Sequence, residues 1–356
     1  MFKKPQSYLG IDIGKISVKV VELKKEKGRP VLVNYGYSEE VNDFSNKNLQ
    51  LDVDKSAKLI RDVCGRSGIK SINAVAAMPS FSVFSSVLNI SGVDKKDLAN
   101  AVMVEAKKVV PLDLDEMILD WKTIEETSAG GSQDNKEGPG EKKDNTKVLL
   151  TGAPKSLVKK YIAIFKEAKM NLFSLETEMF SLIRSLIGSD PSIIAIVDLG
   201  AVNTDIAIVE NGLPMFSRSL DTGGIMITRA VSDSLKVDFK RAEQFKLDLS
   251  SSAGKGQEEN LPKMVAETIS PIVNEIKYSL NLFQQENNKK IEKVLLAGGG
   301  ANLPNITNYL SNILDTKVII GDPWSRVSYP LDLKPALDEV GPRTAIAVGL
   351  ALRETT

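Results

Sequence analysis

Ile11-Asp12-Ile13-Gly14-Lys15-Ile16-Ser17-Val18-Lys19-Val20 is echoed in the second half of the chain by Val197-Asp198-Leu199-Gly200-Ala201-Val202-Asn203-Thr204-Asp205-Ile206. Both stretches read apolar, Asp, apolar, Gly, any residue, apolar, Ser or Asn, two further residues, apolar. Each then runs on through a strand pattern to a Gly-x-Pro turn, Gly28-Arg29-Pro30 in one case and Gly212-Leu213-Pro214 in the other. A strand, a tight glycine turn and two more strands thus occur twice in the same order. A repeat of domain size predicts a duplicated domain rather than a solenoid.

The residue types give each copy a chemistry. Gly14 and Gly200 let the backbone turn tightly and let phosphate oxygens approach its N–H groups. Ser17, Asn203 and Thr204 are hydrogen-bond donors, and Lys15 and Lys19 are cations suited to phosphate. Asp12 and Asp198 can hold Mg²⁺ through its waters, the way this ion is usually kept beside a nucleotide. Two such hairpins facing one another grip a triphosphate from both sides. A third motif, Val294-Leu295-Leu296-Ala297-Gly298-Gly299-Gly300-Ala301-Asn302-Leu303-Pro304, runs an apolar strand into three glycines on which a flat ligand can lie. It lacks G-x-G-x-x-G spacing, which argues against a dinucleotide fingerprint.

Composition narrows the field. The 356 residues carry 46 Lys plus Arg against 46 Asp plus Glu, so the formal net charge is zero and bulk electrostatics gives no reason to expect nucleic acid. There is no histidine, which removes Ser-His-Asp triads and His-ligated zinc. The lone Cys64 sits in an amphipathic run and reads as a half-buried core thiol. Any metal is therefore a hard cation on oxygen ligands. The basic N-terminus, Met1 to Tyr8, is not followed by an apolar run of signal length, and apolar runs such as 192–200 are of strand length, so a cytoplasmic protein that meets a membrane only through a partner is expected.

Elsewhere strands alternate with amphipathic helices, the pattern of an α/β protein. Strands are predicted at 8–13, 17–23, 31–37 and 72–78, a helix over 55–65, and a helix opening at Asp94 and ending before Pro111. Residues 81–170 read as an α+β module of their own, and 225–291 as largely helical. The stretches 128–146 and 250–260 are nearly free of apolar residues and read as flexible insertions.

Taken in order, these motifs resemble the actin-like ATPase superfamily. The two hairpins are similar to its two phosphate motifs, 296–304 to its adenosine motif, and Val348-Gly349-Leu350-Ala351 to its C-terminal connecting helix, where small residues let two helices cross closely. Ala242-Glu243-Gln244-Phe245-Lys246 is similar to its Glu-x-x-Lys helix, which implies Glu243 on the ribose hydroxyls and Lys246 near the base. Within the superfamily the chain resembles the PilM family of type IV pilus assembly proteins. That likeness rests on Asn89 to Glu116 with its Glu-Ala-x-x-x-x-Pro stretch, on Glu178 to Arg184, and on Ser219 to Thr228 with Gly223 and Gly224.

The resemblance implies an α/β, actin-like two-lobed fold of duplicated RNase H-like domains with an inserted small α+β subdomain. Its expected divisions are 1–80 for the first lobe, 81–170 for the insertion, 171–190 for the return, 191–335 for the second lobe and 336–356 for the C-terminal helix. It implies ATP or ADP with Mg²⁺, weak or no hydrolysis, and Glu178, or alternatively Glu176, as the carboxylate that orients water. It implies as partner the cytoplasmic N-terminal segment of a PilN-like inner-membrane protein, docked in a groove beside the inserted subdomain, and no nucleic acid; whether the chain also pairs with itself, as dimer or filament, the sequence leaves open. An FtsA-like division protein is the alternative. Such chains usually end in an amphipathic membrane helix, whereas this sequence stops at Thr356 straight after the connecting helix, so the pilus reading is favoured. A small-molecule kinase of the same superfamily, with Glu116 or Asp120 as its base, is the third reading.

Overall fold

The computed structural model describes residues 7–39, 49–94, 96–124, 145–252 and 261–356. Both predicted insertions fall largely outside these residues. The chain divides into two compact units, one of Met1–Ser80 with Lys160–Thr356 and the other Phe81–Lys159.

The larger unit contains two five-stranded sheets built alike. In the first, β1 (Ser7–Ile13), β2 (Ser17–Glu26) and β3 (Arg29–Glu39) form an antiparallel meander, β4 (Asn73–Met78) joins β1 in parallel, and a strand at Asn171–Thr177 joins β4, giving the order β3-β2-β1-β4-β8 when the strands are numbered along the chain. In the second, β9 (Ile194–Leu199), β10 (Thr204–Glu210) and β11 (Leu213–Leu220) repeat the meander, β12 (Lys293–Ala297) joins β9 in parallel, and β13 (Lys317–Ile320) lies outside it, in the order β11-β10-β9-β12-β13.

The duplication reaches fine detail. The β2–β3 ladder is irregular between Glu22 and Leu23, and the β10–β11 ladder between Ile208 and Val209, the equivalent place in the repeat. Both second turns put two residues at positive φ, Lys27 with Gly28 and Asn211 with Gly212. That is the backbone twist that two-residue hairpin turns prefer.

One apolar cluster packs between the sheets, with Val75, Ala77, Ile194 and Ile196 among its strand members and Leu182, Ile346 and Leu350 among its helical ones. The C-terminal helix α9 (Lys334–Leu352) passes very close to its neighbours. A Cβ on Gly10 would stand 1.9 Å from the Ala347 carbonyl oxygen, and one on Gly349 would stand 2.0 Å from that of Ser181. Small residues at these points let the helix lie directly on β1 and on α4 (Glu178–Leu182). That helix passes straight into a wider π turn, Ile183–Ile187. The second lobe is completed by α5 (Ile225–Leu235), α6 (Phe239–Ser252), α7 (Lys263–Asn287) and α8 (Ile306–Leu314). Cys64 is buried in α1 (Val53–Arg66), and burial pushes its thiol up to about 11.

The smaller unit is a three-stranded antiparallel sheet, β5 (Phe84–Ser91), β7 (Asn145–Pro154) and β6 (Met117–Ile124), carrying α2 (Leu98–Val109) on an apolar core of Leu88, Val102, Val148 and Leu150. Its helix opens at Leu98 rather than Asp94, because the Asp97 N–H donates to the Asp94 carbonyl and closes a separate turn first. Glu116 and Asp120 belong to this unit.

Candidate functional site

The two meanders place their first turns on either side of a cleft of about 850 Å³ in the larger unit. Asp12, Gly14, Lys15, Ser17 and Lys19 line it from the first hairpin, and Asp198, Gly200 and Asn203 from the second. Gly224, Glu243 and Lys246 come from α5 and α6, Gly298, Gly299, Gly300 and Asn302 from the turn after β12, and Glu178 from the start of α4. Thr204 and Gly223 support the wall from behind. The Thr204 hydroxyl donates to the Thr222 carbonyl at 2.8 Å, and a Cβ on Gly223 would meet the Gly200 carbonyl at 2.6 Å.

The triple-glycine turn shows why its sequence is glycine. Gly298 has φ +78°, and a Cβ there would stand 2.4 Å from the Asp198 carboxylate. The loop therefore lies directly against the second hairpin's acid. Its far side is tied to α9, since the Gly298 N–H donates to the Pro342 carbonyl at 2.8 Å and the Asn302 amide to that of Glu339 at 3.1 Å. Opposite, Lys246 bonds Glu243 at 2.7 Å and the Thr228 hydroxyl at 3.0 Å, and that hydroxyl donates to Glu243 in turn. The Glu-x-x-Lys helix is thereby held to the Gly-Gly turn, with both charged heads at the cleft.

Charge is the feature of the floor. Asp12 pairs with Lys19 across the β1–β2 ladder at 3.0 Å. Across β9–β10 the equivalent pair is Asp198 with Asp205, two carboxylates directly opposed. Burial, then the Asp205 charge, push Asp198 up to about 7, with Lys19 pulling the other way. Burial also raises Asp205, against hydrogen bonds donated by Ser219 and by Asn203, the latter at 2.6 Å. Glu178 is raised well above the usual carboxylate range, by burial and then by Asp205, Asp12 and Asp198, while the Ser80 N–H, donating at 3.1 Å, works against the rise.

Glu176 and Glu178 do not share a helix. Glu176 is the last residue but one of β8 (Asn171–Thr177), Thr177 ends that strand and caps the next element, and Glu178 opens α4. The Glu176 carboxylate is taken by Arg184, at 2.6 and 2.8 Å, and by Arg353 at 3.0 Å. Arg184 also donates to the Gly349 carbonyl at 2.7 Å, so this cluster fastens the end of α9. Of the two acids, Glu178 is the one at the cleft.

A divalent cation fits this floor. The available donors are carboxylate and hydroxyl oxygens, and the acids repel one another until a cation or a proton arrives. Among the described residues no three acidic side chains converge into a cage. That suits Mg²⁺, which is usually held by one or two carboxylates with water and phosphate oxygens completing its shell. Asp12 and Asp198 both line the cleft, and theirs are the carboxylates that would hold such an ion through water.

Sequence reasoning passed over Asp205, although its signal was present as an acid inside an apolar strand at the repeat position of Lys19. It also passed over Tyr37 and Arg343, which line the cleft with the guanidinium 5.5 Å from the ring centroid. Their meeting depends on tertiary packing and left no local pattern.

Two duplicated sheets flanking a cleft, closed below by a C-terminal helix, define an actin-like ATPase fold. The sequence matches the family described as type IV pilus assembly protein PilM over residues 10–355, and the chain belongs to that family. It is similar to the solved PilM–PilN type IV pilus biogenesis complex, with a TM-score of 0.80 at 20% identity over 98% of each chain. It is also similar to MreB5 of Spiroplasma citri bound to AMPPNP, with a TM-score of 0.54 at 14% identity over 99% of this chain and 97% of that one. Cell division protein FtsA of Enterococcus faecalis is 20% identical over 88% of this chain and 78% of its own.

Proposed function

We propose that this protein is a Mg-ATP-binding scaffold of a type IV pilus assembly platform, cytoplasmic and held at the inner membrane by docking the N-terminal segment of a PilN-like protein. The observation that carries the reading is membership of the PilM family across residues 10–355, together with a cleft whose acids, cations and glycine turns suit a magnesium nucleotide. No helix among the described residues is long and apolar enough to cross a membrane, which agrees with attachment through a partner. Nucleotide acts on such a scaffold by favouring one arrangement of the two lobes, to the extent that it binds that arrangement more tightly.

The deciding experiment is titration of the full chain, with and without Mg-ATP, by a peptide copying the cytoplasmic N-terminus of the PilN-like protein from the same genome. Saturable one-to-one binding is expected. Absence of binding in both states, with ATP still bound, would move the assignment to the FtsA-like reading, whose support is the 20% identity to the division protein.

A further inference from the structure

We infer that Arg343, set over the ring of Tyr37, is a further phosphate-binding cation of the cleft, carried to the nucleotide's phosphates by the C-terminal helix. The inference rests on the Mg-ATP reading of the site and adds to it a residue that lies in none of the sequence motifs.

Register places the two side chains. Asp12 on β1 stands opposite Lys19 on β2, and Lys19 stands opposite Tyr37 on β3. Residues directly opposite one another carry their side chains on the same face of a sheet. The three therefore form one row, and all three line the cleft. Gly10 precedes Asp12 by one same-face step along β1. It is over Gly10 that α9 lies, with the Ala347 carbonyl oxygen and the Ala351 nitrogen nearest. Arg343 comes one helical turn before Ala347 on the same side of α9. It reaches the cleft beside the row, half-buried, with its guanidinium carbon 5.5 Å from the centroid of the Tyr37 ring. Tyr37 is 43% exposed, so the ring forms the outer rim and the guanidinium lies inside it.

A guanidinium suits this position. An aromatic ring holds it by the face, while its N–H groups lie in its own plane and match two oxygens of a phosphate. Lysine offers a point charge without that fork. The two lobes also differ in the charge they bring. The first row is Asp12, Lys19 and Tyr37 with Arg343 over the ring, and the equivalent row of the second is Asp198, Asp205 and Ser219. One wall carries two cations against a single acid, and the other carries two acids without a cation. Coulomb attraction draws a phosphate chain to the first wall and a divalent cation to the second. Arg343 belongs to the phosphate wall, with Lys15 and Lys19. Its neighbour Pro342 accepts the Gly298 N–H at 2.8 Å, so the turn of α9 that anchors the glycine loop is the one that carries Arg343.

The test separates phosphate from nucleoside on the full chain. Wild type, Arg343→Gln, Arg343→Lys and Tyr37→Leu are titrated by calorimetry with Mg-ATP over a range of salt and with Mg-ADP, and adenosine is followed as a competitor of a fluorescent ATP analogue. Arg343→Gln keeps the bulk of the side chain and removes its charge. It is expected to weaken Mg-ATP and Mg-ADP on the order of tenfold, the scale of a lost hydrogen bond to a charged group, and to leave adenosine within about twofold. The salt dependence of Mg-ATP binding flattens at the same time, because one screened attraction is gone. Arg343→Lys falls between Arg343→Gln and wild type. Tyr37→Leu is expected to weaken Mg-ATP about two- to fivefold, the scale of a cation–π contact, with adenosine again unchanged. Because that ring is exposed, Tyr37→Leu carries the test even where Arg343→Gln melts early. Equal weakening of ATP and adenosine shows a contact to base or ribose, or a purely structural role, and overturns the inference. Unchanged Mg-ATP affinity in Arg343→Gln overturns it as well. Failure of wild type to bind Mg-ATP overturns the nucleotide reading and the inference together, and is seen before any variant is compared.

Discussion

The two hairpins share a backbone and differ in charge. Each carries the same Asp, the same turn glycine, a ladder irregularity at the same step and a second turn with two positive φ angles. Across the ladder from its Asp, however, the first hairpin has Lys19 and the second has Asp205. The first therefore arrives with its charge already compensated, by an ion pair at 3.0 Å. The second faces two carboxylates directly, an arrangement that destabilises a sheet unless something positive intervenes. Duplication supplied the frame, and divergence at one cross-strand position left one half charge-compensated and the other with two opposed carboxylates. A second difference lies deeper. Gly10 in β1 stands where Ile196 stands in β9, because α9 lies directly on the first strand.

That second contrast predicts the largest effect. Gly10→Ala places a methyl 1.9 Å from a backbone oxygen, which only a shift of α9 can relieve. A loss of about 3 kcal/mol or more is expected, read by denaturant unfolding. A loss below about 1 kcal/mol would mean that α9 does not seat on β1 as described. Next comes the charge contrast. Asp198→Ala is expected to weaken Mg-ATP on the order of 100-fold, as a lost magnesium-supporting carboxylate does. Unchanged affinity by calorimetry would break the two-hairpin account of the site.

The same pair makes the ligand-free protein sensitive to pH. Asp198 is raised from 3.8 to about 7 in the fold, so the folded state binds a proton that the unfolded state has released. Stability from this group is fully present below the unfolded value and is lost as pH rises through the folded one. Between about pH 4 and 7 the apo protein should lose on the order of 2 kcal/mol relative to an Asp198→Asn variant, allowing for the carboxylate's edge on the cleft. Thermal melts of both proteins across that range check it. Parallel curves would show that the acids are not in mutual repulsion. Saturating Mg-ATP should flatten the wild-type curve.

The frame of the molecule was legible because its signals are local. Strand alternation, Gly-x-Pro turns and the repeated Asp-x-Gly survive in any stretch of ten residues, and they placed both hairpins and the glycine loop. What was not legible depends on partners far along the chain. Glu176 and Glu178 look equivalent in sequence, two residues apart, yet a strand ends between them. One is neutralised by Arg184 and Arg353, and the other is left buried among acids. Ser80 is an ordinary residue until folding brings its backbone N–H to Glu178. Asp205 was the readable exception, since register alone opposes it to Asp198.

The smallest effect concerns the tie across the cleft. Lys15, on the first hairpin's turn, bonds Asp221 just beyond β11 at 3.4 Å, and the Asp221 side chain is 91% exposed. An ion pair so exposed contributes little to stability. Asp221→Asn should therefore leave apo unfolding within about 0.5 kcal/mol of wild type. Its consequence is expected in binding, because Lys15 occupies the place where the second hairpin has Ala201 and lines the cleft proposed to take the phosphates. Releasing it should tighten Mg-ATP by about two- to threefold, with a steeper salt dependence as Lys15 turns from a protein carboxylate to the ligand. The control is Lys15→Ala, which makes the first turn like the second and should weaken Mg-ATP by about tenfold. If both substitutions leave affinity and its salt dependence alone, Lys15 takes no part in phosphate recognition, and the two turns differ in sequence without differing in function.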